Sequence, residues 1–301
     1  MTSETIGFVG LGVMGGPMCR NIALKHAGRV LCQDLSEAAL AALSDTRAEP
    51  ADLATLAATA DVVCLSLPGG PQVEAVTRQL LDHGLRRGSV VIDLSTTEVA
   101  SARRVAASLA AHGVDFADAP VARTREAAQR GELAIMVGAS DATFARIQPV
   151  LCYMATDITH GGAIGSGQVL KLVNNMLLFE HVVSIAEMMV LAERQGVAPA
   201  VLIDAVSKGS GDSFALRNHA LKSMLPRAFP ERAFAPEYVL KDIACVFAMA
   251  REAGLPLRAA EVARDYYQRS IEQGHGGQYF PGVIRVVEAA AEPEKGLRDA
   301  G

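Results

Sequence analysis

Lys171, Asn174 and Asn175 sit at i, i+3 and i+4 in a run from Gly167 to Gln195 that holds no proline and no internal glycine. On a helix that spacing puts an ammonium and two carboxamides on one face, close to the helix start. The apolar residues of the run, among them Leu170, Val173, Leu177, Val182, Ile185, Met188 and Met189, point nearly all round the axis. That is how a helix buried on several sides reads, and polar groups on such a helix must be paired or must do work. A single helix of roughly 43 Å is expected, at about 1.5 Å rise per residue. Asn174, Asn175, Glu180, His181 and Glu187 interrupt the run too often for a membrane span, which would need about 20 mostly apolar residues.

A second chemistry-bearing stretch lies at the other end of the chain. The β-rich run Thr5 to Val9 leads into Gly10-Leu11-Gly12-Val13-Met14-Gly15, and a helical pattern follows through Cys19, Ile22, Ala23 and His26. This is G-x-G-x-x-G between a strand and a helix, the context in which it cradles a pyrophosphate. Gly10 permits the tight turn, Gly12 admits the phosphate to the backbone, and Gly15 lets helix and strand pack closely. The next strand, Arg29 to Gln33, ends in Asp34, 19 residues past Gly15. A carboxylate there accepts from a ribose diol and repels a 2′-phosphate, which favours NAD, while Arg29 and Lys25 nearby keep NADP open.

These residues need elements to position them. Val62 to Leu67, Val90 to Leu94, Phe116 to Ala119 and Ala134 to Val137 read as further strands alternating with helical patterns. That alternation predicts an α/β domain with a parallel, doubly wound sheet, its ligand loops at the carboxyl ends of the strands. Those ends carry Leu67-Pro68, Ser95-Thr96 and Pro120-Val121-Ala122-Arg123. Leu67-Pro68 also reads as a plain strand stop, and Ser95-Thr96 equally well as a helix cap ahead of Glu98. From about Pro199 only helical patterns remain: Val201 to Ser207, Leu216 to Met224, Tyr238 to Glu252, Ala259 to Glu272 and Gly282 to Ala291. The expected division is a dinucleotide domain over 1–164, a connecting helix over 165–195 and a helical domain over 196–301. A cleft between two domains is a usual ligand site.

Bulk properties narrow the classes. Of 301 residues 50% are hydrophobic and 20% charged, enough for one large or two ordinary cores. A net charge of −5 argues against a nucleic-acid partner. Five widely spaced cysteines in apolar contexts (Cys19, Cys32, Cys64, Cys152, Cys245) read as buried thiols in a reducing compartment, with no metal-ligand spacing. The segment Met1 to Thr5 lacks the basic start and long apolar stretch of a signal peptide, so a cytoplasmic protein is expected. The seven histidines form no ligand cluster or triad and default to surface or satisfied core positions.

Four stretches, in order, resemble the β-hydroxyacid dehydrogenase family, the group containing 3-hydroxyisobutyrate dehydrogenase and 6-phosphogluconate dehydrogenase. They are Gly10 to Met18, Asp118-Ala119-Pro120-Val121, Gly165 to Asn175, and Lys241-Asp242. The resemblance covers essentially the whole chain and implies an N-terminal Rossmann domain with an all-α C-terminal domain that builds a homodimer or homotetramer. It implies Lys171 as general acid/base, Asn175 as a substrate-holding residue, Lys241 facing cofactor and substrate, and no metal. The chemistry agrees: oxidising a hydroxyl needs a base for its proton as hydride leaves, and a lysine serves both directions if burial lowers its pKa toward about 7–8. Asn174 reads equally as a cap or bridge, and Lys241-Asp242 also as an exposed helix pair.

The third-strand motif departs from the family pattern. Members usually continue Asp-Ala-Pro-Val-Ser-Gly-Gly, where serine and glycine amides grip the substrate carboxylate; here it runs Ala122-Arg123-Thr124-Arg125. Ala122 removes the hydroxyl and Arg123 offers a fork of donors for carboxylate, sulfonate or phosphate. The loop resembles that of sulfolactaldehyde reductase, a branch using an arginine on a sulfonate, although Ala122 and Arg125 differ from it. The expectation is a small three- or four-carbon acid held by Arg123 and Thr124; the plainer reading pairs Arg123 with Glu126 or Asp118. Rival readings are an imine reductase, which usually lacks a lysine at 171, and a non-catalytic dinucleotide-binding protein.

Overall fold

The computed structural model describes residues 4–231 and 233–291. The chain divides into two compact units, Met1–Leu172 and Val173–Gly301. The boundary falls inside the long helix, two turns after its start, rather than at the helix ends expected from the sequence.

The first unit alternates strands and helices: β1 (Ile6–Val9), α1 (Gly15–Lys25), β2 (Val30–Gln33), α2 (Glu37–Ala41), β3 (Ala48–Pro50), α3 (Leu53–Thr59), β4 (Val62–Leu65) and α4 (Gly70–Asp82). Then come β5 (Val90–Asp93), α5 (Val99–Ala110), β6 (Asp115–Asp118), β7 (Val121–Ala122), α6 (Arg125–Arg130), β8 (Leu133–Gly138), α7 (Asp141–Leu151), β9 (Ala155–Gly162) and the start of α8 (Ser166–Arg194). One sheet orders them β3-β2-β1-β4-β5-β6-β8-β7, with β9 on β8. Strands β1, β4 and β5 are buried at every position, so both faces are covered. Ile6, Phe8, Val62 and Cys64 pack into one core layer while Val9, Val63 and Leu65 pack into the other. Parallel strands buried on both faces read as near-continuous apolar runs, which is why these were visible in the sequence.

The sheet is not wholly parallel. Strand β8 runs antiparallel to β6 and β7. Strand β7 is two residues long, and β9 (Ala-Thr-Asp-Ile-Thr-His-Gly-Gly) is a polar strand with mostly exposed or half-buried positions. Neither carries the apolar run that betrays a strand, and neither was anticipated. Four cysteines are buried as expected; Cys152, just past the end of α7, is exposed.

The second unit holds the remainder of α8, then α9 (Pro199–Val206), a π-helix (Ala215–Met224), α10 (Pro236–Glu252), α11 (Arg258–Ser270) and α12 (Ile284–Ala291). Helix α8 is long and apolar enough to cross a bilayer, but 44% of its most apolar stretch is buried inside the protein. Phe179 on α8 centres an aromatic cluster, with ring centroids 6.1 Å from Phe234, 5.9 Å from Tyr267 and 5.8 Å from Phe280. Such edge and offset contacts add to burial and fix the packing of α8 within this unit.

Candidate active site

The strand order reverses at β1, which lies between β2 and β4, and the crevice beyond such a switch point is where α/β sheets take ligands. The glycine turn after β1 occupies that position. Gly10 has φ +92°, and a Cβ there would stand 2.2 Å from the Ser66 carbonyl oxygen, so only glycine fits between β1 and β4. A Cβ at Gly15 would meet the Gly10 carbonyl oxygen at 2.0 Å, whereas one at Gly12 would meet nothing within 4 Å. Gly12 therefore leaves open space above the backbone, as a pyrophosphate needs. Helix α1 has Met14 at its N-cap, with no side-chain cap and no acidic residue in its first turn. Its first N–H groups and positive dipole end have no carboxylate competing for them, which suits an anion.

Asp34 closes this corner. Its Oδ2 accepts from the Leu11 N–H at 2.5 Å and its Oδ1 from the Ser36 N–H at 2.8 Å. The carboxylate expected at a ribose thus also ties the glycine turn to the end of β2. These residues fit a nicotinamide dinucleotide.

A buried polar network fixes the start of α8. Asp118 at the end of β6 accepts from the Gly165 N–H (2.6 Å) and the Gln168 N–H (2.9 Å), so a carboxylate from another strand caps this helix. A Cβ at Gly167 would stand 2.4 Å from the Met136 carbonyl oxygen and 2.5 Å from that of Asp118, so the helix start packs directly on the sheet backbone. Gln168 donates to the Ser95 carbonyl oxygen (2.8 Å) and accepts from the Thr97 N–H (3.0 Å). Ser95 in turn accepts the Leu67 N–H on its hydroxyl at 2.9 Å. Leu67-Pro68 and half-buried Thr96, both expected at the cofactor, thus belong to one cross-linked group of strand ends. Lys171, buried at 9% exposure, is one turn beyond Gln168 on α8.

The two carboxylates of this network are unusual. Burial pushes Asp93 up to about 7, against the opposing hydrogen bonds from Ser95. Burial likewise pushes Asp118 up to about 6 despite its two backbone donors. Neither aspartate nor Gln168 was singled out as functional from the sequence. A buried acid at the end of an apolar strand was the available signal.

The loop expected to hold the substrate is built differently from the expectation. Arg123 adopts φ +86°, a conformation that glycine enters freely and an arginine does not. Its guanidinium donates to Asp157 Oδ2 (2.6 Å), the Glu132 carbonyl oxygen (2.7 Å) and Thr156 Oγ1 (2.9 Å). Neither Glu126 nor Asp118 is its partner here, and the donors assigned to a substrate anion are engaged by β9 and the start of β8. Thr124 caps α6, its Oγ1 accepting from the Ala127 N–H at 3.4 Å. Ala122 is buried and pairs with Ala134 on β8.

In the second unit Asn175 is buried and donates from Nδ2 to Asp242 Oδ2 at 2.8 Å. Asp242 is 2% exposed, and its Oδ1 faces the Lys241 ammonium at 3.3 Å. Because an ionised carboxylate only accepts, this contact fixes which way the Asn175 amide points. Asn174 is exposed and donates to Asn175 Oδ1 at 3.2 Å, so it supports Asn175. Helix α8 carries Lys171 and Asn175 one turn apart, as their spacing predicts. Among the described residues no group of three or more His, Cys, Asp or Glu could hold a metal ion.

Residues 5–162 match the family model for the NAD binding domain of 6-phosphogluconate dehydrogenase. Residues 165–287 match the model described as NAD-binding of NADP-dependent 3-hydroxyisobutyrate dehydrogenase. The chain belongs to the β-hydroxyacid dehydrogenase family. Among its relatives, 2-(hydroxymethyl)glutarate dehydrogenase of Eubacterium barkeri is 35% identical over 95% of this chain and 95% of its own length. The 3-hydroxyisobutyrate dehydrogenase of Pseudomonas aeruginosa is 37% identical over 93% of this chain and 97% of its own. The structure of Mycobacterium tuberculosis 3-hydroxyisobutyrate dehydrogenase with L-serine superposes with TM-score 0.87 at 31% identity, covering 95% of this chain and 99% of that one. An imine reductase from Pseudomonas shares only the fold, at 16% identity and TM-score 0.61.

Membership makes the chain an oxidoreductase of a family that acts on CH–OH donors with a nicotinamide dinucleotide. The Rossmann and all-helical architecture expected from the four motifs is the one found.

Proposed function

We propose that this β-hydroxyacid dehydrogenase interconverts a small β-hydroxyacid and its semialdehyde or keto form, with Lys171 as general acid/base and Asn175 orienting the substrate. The observation that carries the reading is a buried lysine one turn behind a helix start pinned by Asp118 and Gln168, in a chain of this family. In oxidation the neutral Lys171 amine takes the hydroxyl proton as the substrate carbon gives up hydride; in reduction its ammonium returns that proton to the carbonyl oxygen. The dinucleotide, when bound along Gly10 to Gly15, supplies the hydride acceptor or donor. Asn175 keeps one N–H for a substrate oxygen, since the other is held by Asp242. The Arg123 guanidinium is engaged by Asp157, Thr156 and the Glu132 carbonyl rather than held open for an anion. This favours a simple carboxylate over a substrate requiring an arginine fork.

NAD is the proposed coenzyme, because Asp34 ends β2 beside the glycine turn. Val173, Leu177, Met188 and Leu191 on α8 are exposed apolar residues, which supports a homodimer or homotetramer. A cytoplasmic protein remains the proposal for location. The presence of Lys171 weighs against an imine reductase.

A coupled NADH absorbance screen tests the reading. The panel holds 3-hydroxyisobutyrate, serine, glycerate, threonate, 2-(hydroxymethyl)glutarate, tartronate semialdehyde and a sulfonated three-carbon pair. Turnover of at least one carboxylate that disappears in Lys171→Ala, with NADH binding retained, is the expected outcome. Full turnover in Lys171→Ala would remove that residue from the mechanism.

A further inference from the structure

Gln168 has no exposed surface, and its side chain makes two bonds of opposite sense to one short stretch of backbone. Nε2 donates to the carbonyl of Ser95 and Oε1 accepts from the N–H of Thr97, at 2.8 and 3.0 Å. The residue between those two contacts is Thr96. A single carboxamide therefore grips the chain on both sides of Thr96, much as a neighbouring strand would. The opposite side of the stretch is held by Asp93, whose Oδ1 accepts from the Ser95 N–H at 2.9 Å. The Gln168 backbone N–H is itself anchored on Asp118. Three residues later on the same rigid helix comes Lys171.

A carboxamide of that length carries a donor and an acceptor at its tip whatever the pH. Asparagine is a methylene short, an ionised glutamate could only accept, and methionine could do neither. A position needing only packing would take an apolar residue and spare the desolvation of an amide. We propose that Gln168 is a positioning residue of the reaction, holding Thr96 in register with Lys171 across the junction between the end of β5 and the start of α8. This rests on the reading above, in which Thr96 meets the cofactor and Lys171 moves the proton. A displacement of about 1 Å between such groups costs on the order of 100-fold in rate.

The test uses the full chain and the best substrate from the screen, with wild type and Lys171→Ala assayed first. Gln168→Met, which keeps the volume and loses both bonds, is expected to lower kcat by about 30- to 100-fold with KM and the NADH dissociation constant within about threefold. The deuterium isotope effect on kcat, read with 4-deuterated NADH, should rise as hydride transfer becomes limiting. Damage to the fold alone would reduce the active fraction and leave the isotope effect unchanged. Gln168→Asn, which keeps an amide, is read in the same way and serves if the methionine variant does not fold. Adding Thr96→Val to either variant should cost far less than it does in wild type, because the two residues act as one unit.

Wild-type kcat in Gln168→Met beside an inert Lys171→Ala would overturn the proposal, as would additive effects of the Thr96 and Gln168 substitutions. Full turnover in Lys171→Ala would instead overturn the functional reading on which it rests.

Discussion

Arg123 is bound to Asp157, guanidinium to carboxylate at 2.6 Å, and the pair joins the loop after β7 to strand β9. The Thr156 hydroxyl first, and Arg123 second, hold Asp157 below the usual carboxylate range. Both side chains are well exposed, so water and salt screen the ion pair and it adds little to stability. Arg123 also holds φ +86°, which costs a non-glycine residue roughly 1–2 kcal/mol. Arg123→Gly removes both the pair and the strain, so its stability should stay within about 1 kcal/mol of wild type. Asp157→Ala removes only the pair and should be the less stable variant. Because the guanidinium serves the chain, Arg123→Gly should keep kcat/KM on a carboxylate substrate within about threefold. A collapse of kcat/KM together with lost discrimination among anions would put the arginine back on the substrate.

On the proposed NAD assignment Asp34 serves two purposes at once, and a single substitution removes both. Replacing it with serine removes the charge that repels a 2′-phosphate and also the acceptor of the Leu11 N–H. NADH binding should therefore weaken by more than NADPH binding, shifting the ratio of dissociation constants toward NADPH by at least about tenfold. Fluorescence titration of both coenzymes on wild type and Asp34→Ser decides it. If wild type already binds NADPH tenfold more tightly than NADH, the assignment of NAD is wrong.

The parts legible in the sequence were those whose physics is local. Gly10 to Gly15 was readable because a tight turn, a close approach and a helix start each demand glycine at fixed offsets. The helix of Lys171 was readable from a long run free of proline and glycine, and it spans Ser166–Arg194. What stayed hidden depends on partners distant in the chain. Asp118 caps a helix 47 residues away, and Gln168 reaches a backbone 71 residues away. The chain partner of Arg123 stayed hidden for the same reason. Asp157 lies on β9, a strand too polar to be recognised, and a fork of donors has the same sequence signature whether it binds substrate or chain. The aromatic cluster around Phe179 was missed because its members come from three separate helical segments and the bend before α10.

The buried acid Asp93 should make the first unit less stable at high pH. Its carboxyl is raised from an ordinary 3.8 to about 7, chiefly by burial, so the folded chain holds the proton more tightly than the unfolded one. The stability it lends is fully present below about pH 4 and is lost as pH rises to about 7. Asp93→Asn keeps an acceptor for the Ser95 N–H and can offer a donor to the Thr97 hydroxyl. The variant should gain roughly 5 °C in Tm over wild type at pH 8 and nothing at pH 4. Asp118 differs, since an amide there would turn a donor toward one of two backbone N–H groups. Thermal melts of both variants at the two pH values provide the check, and equal behaviour of Asp93→Asn at pH 4 and 8 would refute the argument.

His219 gives the second unit the opposite response to acid. It lies on the π-helix, 8% exposed, with Nδ1 2.9 Å from the Tyr279 hydroxyl and Nε2 buried without a hydrogen-bond partner among the described residues. Phe214, Tyr279 and Phe280 pack their rings against it at 5.8, 5.9 and 5.1 Å. Burial first, and the Lys222 charge second, lower it from an ordinary 6.5 to about 4. The unfolded chain thus takes up a proton that the folded chain refuses. Stability present above about pH 6.5 is lost as pH falls to about 4, by about 3 kcal/mol in all. His219→Gln cannot titrate but keeps a hydrogen-bonding end for Tyr279, so its urea-unfolding free energy should fall less steeply across that window. The variant gains no stability over wild type at pH 8, where the imidazole is neutral in both states; the slope alone carries the test. Parallel slopes for the two proteins between pH 6.5 and 4 would mean that His219 charges freely in the folded state and that the aromatic cluster around it is open to water.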